Sequence, residues 1–266
     1  MSLPSRPPPL HILRKMESGG LGIEPPDVAN ILDGALSKIV AHLEITPDAA
    51  STKYNSFYAQ KGSGSGSLRT WSGPLVNHMV RAWLTNPVFN FSSHSLLVWL
   101  DSSVRVPHLV LELGTTPDLF VYFDFIPRSD LTVDLDALDR YYAPLNERTC
   151  AVYRHPEFRP FFSQNTYMRQ VMSPCSLCFQ CKRDERNLSH VHDLADQLVT
   201  RWLNWVDAAE PVPEEERPAL ARRDRAVRRA VAERDPGVQV ARHLYGDTMA
   251  SDLVAMVGGF HPELGR

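Results

Sequence analysis

Residues 108–126 constrain the fold of this chain more than any other stretch. They read His108-Leu109-Val110-Leu111-Glu112-Leu113-Gly114 and, past Thr115-Thr116-Pro117, Asp118-Leu119-Phe120-Val121-Tyr122-Phe123-Asp124-Phe125-Ile126. Side chains alternate faces along a strand, so Leu109, Leu111 and Leu113 point one way and His108, Val110 and Glu112 the other. In the second half Leu119, Val121, Phe123 and Phe125 share a face, and Phe120, Tyr122, Asp124 and Ile126 share its opposite. Both faces are largely apolar, which predicts a sheet covered on both sides. A tight turn centred on Thr116 sets His108 opposite Asp124 and Glu112 opposite Phe120. A slip of one residue would part those pairs. Two carboxylates and a histidine thus occupy covered positions, where an unpaired charge is costly and a group shifts its pKa or finds a partner. One reading is a proton-donating site on a sheet face. The other is a structural His108–Asp124 pair with Glu112 at the rim.

Around this unit the pattern is strands in the middle and helices at both ends. Residues 1–24 are rich in Pro and Gly and are expected to be disordered. Their first sixteen hold Arg6, Arg14 and Lys15, no acid, four prolines and two serines. That suits either the remnant of an organelle-targeting segment or a loose terminus. After Pro25-Pro26-Asp27, the spacing of Val28, Ile31, Leu32, Ala35, Ile39 and Leu43 predicts a helix. Gly62-Ser63-Gly64-Ser65-Gly66-Ser67 reads as a flexible loop. It lacks the Gly-Lys-Ser/Thr ending of a phosphate loop. Residues 68–126 read as successive strands joined by short turns, an antiparallel meander. Leu135 to Leu145 suits a short helix. Tyr167 to Cys181 suits a further strand, interrupted at Pro174. From 188 a helical stripe runs through Val191, Leu194, Leu198, Trp202 and Trp205, and after the acidic, Pro-bounded residues 210–216 a second helix covers about 218–234. The fold class is therefore α+β, an antiparallel sheet flanked by helices, in one domain over residues 25–266.

The last of these helices carries chemistry on two sides. Leu220, Asp224, Val227 and Val231 fall on one face, and Asp235 continues the stripe. Pro236 disfavours a helical Asp235, which leaves this acid at a helix C-terminus, where negative charge is unfavourable. A local rule broken without visible compensation points to function; an ordinary Asp-Pro-Gly turn is the alternative. On the other side Arg222, Arg225 and Arg229 form a basic patch, suited to steering an acidic partner or simply solvated.

Cys175, Cys178 and Cys181 have suggestive spacing, but thiolate metal sites need a turn between their cysteines. On a strand Cys178 would face away from the other two. Plain thiols are the expectation, with no metal. No nucleophile elbow, dinucleotide fingerprint or zinc-protease motif is present. A net charge of −3 over 266 residues gives no general nucleic-acid character, and no apolar run reaches the length of a membrane span.

Several short blocks, in order, resemble one family. They are Leu109-Val110-Leu111-Glu112-Leu113, Asp124-Phe125-Ile126-Pro127-Arg128-Ser129-Asp130-Leu131, Pro160-Phe161-Phe162-Ser163, Met168-Arg169-Gln170-Val171-Met172-Ser173-Pro174 and the Arg-rich helix ending at Arg234-Asp235-Pro236-Gly237. From about residue 25 to 260 the chain resembles red chlorophyll catabolite reductase, a relative of the ferredoxin-dependent bilin reductases. The resemblance implies an α/β/α sandwich, a central antiparallel sheet flanked by helices on both faces. It implies a linear tetrapyrrole held between the sheet and the C-terminal helices, and reduction of red chlorophyll catabolite to primary fluorescent chlorophyll catabolite. Electrons would come singly from reduced ferredoxin, with no cofactor bound to the chain. A chloroplast location follows from the same resemblance, and a homodimer is one oligomeric state it leaves open.

Residue by residue, the family's sheet-face Glu falls on Glu112 and its pocket Asp on Asp235, with Asp224 as the alternative match. The aromatic position tied to product stereochemistry falls on Tyr167, where Phe is also seen. His108 and the cysteine run are not family features; His108 and Asp124 stand as substrate-side candidates on the strand pattern alone. Arg222, Arg225 and Arg229 would dock ferredoxin. The competing readings are a reductase of another bilin, a non-catalytic tetrapyrrole carrier, and a metal-binding interaction protein built on the three cysteines.

Overall fold

The computed structural model describes residues 24–59, 63–87 and 90–265. The expected disorder of residues 1–24 lies outside them except for Glu24, whose carboxylate accepts from Arg81 Nη2 at 2.5 Å and lies 2.9 Å from His94 Nδ1.

Among the described residues nine strands form one antiparallel sheet: β1 (Thr46–Pro47), β2 (Phe57–Tyr58), β3 (Ser65–Ser72), β4 (Val76–Asn86), β5 (Phe91–Leu100), β6 (His108–Thr116), β7 (Asp118–Ile126), β8 (Arg159–Pro160) and β9 (Leu177–Cys181). Their order is β1-β3-β4-β5-β6-β7-β9-β8, with β2 also paired to β3. Strands β3 to β7 are the expected meander. The helices are α1 (Pro26–His42), α2 (Asn146–Tyr153), α3 (Thr166–Val171), α4 (Glu185–Asp207), α5 (Arg217–Arg234) and α6 (Gly237–Val257).

Strand alternation divides the core into two layers. Leu109, Leu111, Leu113, Val121 and Phe123 pack with Val28, Leu32 and Ile39 of α1 and with Val191, Leu198 and Trp202 of α4. Trp202 also donates its indole N–H to the Pro107 carbonyl at 2.9 Å. On the opposite face Val110, Tyr122 and Ile126 pack with Val231 of α5 and with Ala241, Leu244, Tyr245 and Met256 of α6. The architecture is thus the α/β/α sandwich, because neither face of the sheet could be left in water.

Four local expectations are corrected. The hairpin turns at Pro117, with Thr116 opposite Asp118, so His108 lies opposite Ile126 and Glu112 opposite Tyr122. The pairing moves by two residues, which leaves every side chain on its assigned face. Ser65, Gly66 and Ser67 belong to strand β3, not to a loop. Glycine is required at position 66 because a Cβ there would lie 2.5 Å from the Phe57 ring and 2.7 Å from the Trp83 carbonyl oxygen. Residues 135–145 form one α-turn, a π-turn and a 3-10 turn in succession. Of residues 167–181 only Leu177–Cys181 is strand, while Tyr167 lies on α3, which Asn165 caps by accepting from the Tyr167 N–H at 2.9 Å.

Helix α6 has no counterpart in the sequence reading. Each half buries one face, Ala241, Leu244 and Tyr245 in the first and Ala250, Leu253 and Met256 in the second, and Gly246 interrupts the helix between them at φ +79°, ψ 164°. Those dihedrals are open only to glycine. The resulting kink lets Val238 and Ala241 before it, and Leu253 and Val257 after it, line the same cavity.

Candidate functional site

A partly open cavity of about 160 Å³ lies between the sheet and the helical pair α5–α6. Apolar side chains such as Leu68, Leu84, Leu97, Val231 and Leu253 form most of its wall. Two carboxyls and two hydroxyls break that surface: Glu112 from the sheet, Asp235 from the α5–α6 turn, and Ser93 and Ser95 from β5. An apolar space with a few polar groups converging on it is the usual form of a small-molecule site.

Glu112 reaches the cavity because it shares a sheet face with Val110. Asp235 arrives by a different route. It ends α5 and, through the turn Asp235-Pro236-Gly237-Val238, starts α6. Val238 N–H donates to the Asp235 carbonyl at 3.1 Å, and Gly237 N–H donates to its carboxylate Oδ1 at 2.5 Å. The unfavourable position at the end of α5 is therefore compensated by the start of α6, where helix N–H groups welcome a negative oxygen. The turn and the functional reading of this acid are compatible: it is an Asp-Pro-Gly turn that faces a cavity.

The two acids alter one another. Burial, and then the Asp235 charge, push Glu112 up to about 8. Burial also raises Asp235, opposed by the Gly237 N–H. Two carboxyls in one water-poor space resist losing both protons. The pair therefore holds a proton at neutral pH, on Glu112, where it can be donated into the cavity.

Across the sheet, Ser95, Glu112, Tyr122 and Cys178 are successive partners in one row. Burial, then Glu112 and Asp124, push the Cys178 thiol up to about 12, and Cys181 rises to about 12 as well, chiefly by burial. Cys178 packs in the cavity-side layer while Cys175 and Cys181 pack in the other. Among the described residues, no three His, Cys, Asp or Glu side chains are placed to hold a metal ion.

Asp124 is not a wall of the cavity. Its carboxylate accepts from Tyr122 Oη at 3.0 Å, Phe125 N–H at 2.8 Å, Ser173 N–H at 2.9 Å and Ser173 Oγ at 2.5 Å. Burial raises its pKa and these donors oppose the rise. Four donors on two oxygens suit the ionised form, and they pin the turn before β9 to the sheet.

His108 and Asp224 meet each other, away from the cavity. The expected partner of His108 was Asp124; the sheet instead turns His108 toward α5, with Nε2 3.2 Å from Asp224 Oδ1. Leu100 N–H donates to His108 Nδ1 at 3.0 Å. Burial and then Arg128 lower His108 to about 4, so the ring is neutral. Arg128 Nη2 donates to Asp224 Oδ2 at 2.5 Å, Nη1 to the Val104 carbonyl at 2.5 Å, and Nη2 to the Asp101 carbonyl at 3.0 Å. Burial opposes ionisation of Asp224, but His108 and Arg128 outweigh it and lower its pKa. This buried cluster joins α5 to the sheet.

Tyr167 packs against the cavity-side layer. The Arg234 guanidinium lies 5.3 Å from its ring centre, and Asn165 Nδ2 donates to the Arg234 carbonyl at 3.1 Å, which places α3 beside Asp235. Arg222, Arg225 and Arg229 are exposed on α5; Arg229 lies 3.9 Å from Glu233 and 4.4 Å from the Phe260 ring centre. Ser93, Ser95 and the whole of α6 escaped the sequence reading. The serines carried a signal, since two hydroxyls alternate with Ser92 and His94 along one strand.

The family model described as "Red chlorophyll catabolite reductase (RCC reductase)" matches residues 28–258. The chain is 26% identical over 250 residues to the chloroplastic red chlorophyll catabolite reductase of Arabidopsis thaliana, covering 86% of this chain and 76% of that one. It is 27% identical over 177 residues to the red chlorophyll catabolite reductase of Hordeum vulgare, covering 61% and 85%. It is 24% identical over 250 residues to a chloroplastic red chlorophyll catabolite reductase of Oryza sativa, covering 86% and 74%. Phytochromobilin synthase from tomato, solved in complex with biliverdin, shares the fold with a TM-score of 0.78 at 16% identity, over 90% of this chain and 85% of that one.

Proposed function

The chain belongs to the red chlorophyll catabolite reductase family, and from that premise we propose that the cavity binds red chlorophyll catabolite and that Glu112 is the acid of its reduction. The reaction is reduction of this open-chain tetrapyrrole to primary fluorescent chlorophyll catabolite, and the compartment is the chloroplast, as in the relatives whose names state it. The observation that carries the assignment of the acid is the pair Glu112 and Asp235, which line one apolar, partly open cavity between the sheet and the C-terminal helices.

Two electrons and two protons make up the reduction. Reduced ferredoxin supplies the electrons one at a time, and the conjugated pigment itself holds the unpaired electron between them. Glu112 donates a proton to the reduced pigment. Asp235, held by the Gly237 N–H, supports that protonated state by resisting a second charge, and solvent at the open side of the cavity supplies the second proton and reprotonates Glu112. The apolar walls exclude water from the reduced pigment. Tyr167, beside the α5–α6 turn, bounds the pigment on that side.

The test is an anaerobic assay with red chlorophyll catabolite, reduced ferredoxin and the purified chain. Appearance of fluorescent product supports the reading. Tight pigment binding without turnover would instead identify a carrier, and turnover of biliverdin alone would identify a reductase of another bilin.

Ferredoxin is assigned to the exposed face of α5. Among the described residues, Arg222 and Arg225 make no ion pair, so they are available to an acidic partner. Reversing all three charges in Arg222→Glu/Arg225→Glu/Arg229→Glu is expected to raise the KM for ferredoxin roughly tenfold or more at low salt. Pigment affinity should stay unchanged. An unaltered KM places the docking surface elsewhere.

A further inference from the structure

Beside Glu112 the sheet floor is asymmetric. Two adjacent rows cross it, Ala82–Ser95–Glu112–Tyr122 and Leu84–Ser93–Gly114–Phe120. On the β7 side of Glu112 and Gly114 the rows present bulky rings, Tyr122 and Phe120. On the β5 side they present Ser95 and Ser93, and Ala82 beyond. A shallow shelf therefore opens next to Glu112 on one side only.

Strand β5 sorts its polar side chains by face. Ser92 Oγ lies 2.9 Å from Thr115 Oγ1, and His94 Nδ1 lies 2.9 Å from Glu24. Both point away from the cavity and find partners within the protein, His94 through Nδ1 while its Nε2 is buried without one. Ser93 and Ser95 point into the cavity, and among the described residues neither hydroxyl has a hydrogen-bond partner. Ser95 is the direct cross-strand neighbour of Glu112, which sets their Cβ atoms about 5 Å apart.

We propose that Ser95, aided by Ser93, is the residue that sets which part of the bound pigment faces Glu112. This rests on the tetrapyrrole reading of the cavity. An open-chain tetrapyrrole carries carbonyl oxygens at its ends, and a serine hydroxyl is a matching donor. With the rest of the floor apolar, a hydrogen bond from Ser95 fixes the pigment's register along the shelf. The carbon to be protonated then lies over Glu112. Ser95 is thus a binding and specificity residue; the proton remains with Glu112.

Threonine and valine have the same shape and both suit a strand, so Ser95→Thr and Ser95→Val differ only in the hydroxyl. Each variant is titrated anaerobically with red chlorophyll catabolite while the visible absorption of bound pigment is recorded. Ser95→Thr should keep the native spectrum. Ser95→Val should shift it and bind about three- to tenfold more weakly, the value of one neutral hydrogen bond. Equal spectra and affinities for the two variants overturn the assignment. Should both extra methyls exclude the pigment, Ser95→Ala decides it: native affinity and spectrum again overturn it. The readout needs no turnover, so it separates two failures. Native protein that binds no pigment sinks the tetrapyrrole reading, whereas binding with Thr and Val alike sinks only the role of Ser95.

Discussion

Replacing Glu112 by Gln is expected to lower turnover of red chlorophyll catabolite by about 10²- to 10⁴-fold, the range of a positioned general acid, with pigment affinity nearly unchanged. Gln keeps the size and a donor but has no proton to give. The native protein adds a pH signature. With Glu112 raised to about 8, it is protonated at neutral pH, so turnover limited by proton donation should fall as pH rises through about 8. Stability should move with the same proton. The folded state holds it above 4.5, where the unfolded chain releases it, so Glu112 makes stability decline between 4.5 and about 8. Glu112→Gln removes that penalty and should melt at or above the native temperature at pH 8. An inactive variant that melts lower would mean that the activity loss reflects damage to the fold. A variant with native turnover would transfer the acid's role to Asp235 or to water.

Asp224→Ala is expected to cost about 3–5 kcal/mol of unfolding free energy, because it strands the buried Arg128 guanidinium without its counter-charge. Arg128 and Asp224 are both buried and joined at 2.5 Å. Their bond ties α5 to the loops at the end of the sheet. Urea unfolding followed by far-ultraviolet dichroism gives the number. Arg128→Met combined with Asp224→Leu should recover part of the loss by removing both charges, though the carbonyls of Val104 and Asp101 then lose a donor. A cost below about 1 kcal/mol for Asp224→Ala, the level of an exposed pair, would show that water reaches Arg128. The contrast between the two acids is the useful result: Asp224 holds the helix, and Glu112 serves the cavity at the expense of stability.

The faces of the central hairpin were legible from residues 108–126 because strand alternation has a period of two. Even the misplaced turn, Thr116 for Pro117, moved the register by two residues and left Glu112 on its own face. The rings that crowd that face, Tyr122 and Phe120, were legible for the same reason. Partner choice was not. His108 sits on the face that strand pattern assigned it, yet it pairs with Asp224, far along the chain, rather than with Asp124 on the neighbouring strand. The segment 62–67 looked like a linker by composition; Gly66 is there to let Phe57 cross a strand. Helix α6 was hidden because the kink at Gly246 shifts the phase of its buried residues between the two halves.

By itself, then, the sequence determined the layered sandwich, the covered hairpin and the presence of two acids on suspect positions, since periodicity and local turn chemistry are properties of neighbours. Only the tertiary structure decided which acids meet. Asp224 and Asp235 lie on one helical stripe, about three turns apart, and although Pro236 marks the second as a helix end, nothing local says what either acid meets. Docking of α5 on the sheet puts the first against His108 and Arg128, and the chain reversal into α6 swings the second over Glu112. Burial between sheet and helices, together with the facing Asp235 charge, then keeps a proton on Glu112, and neither segment supplies both alone.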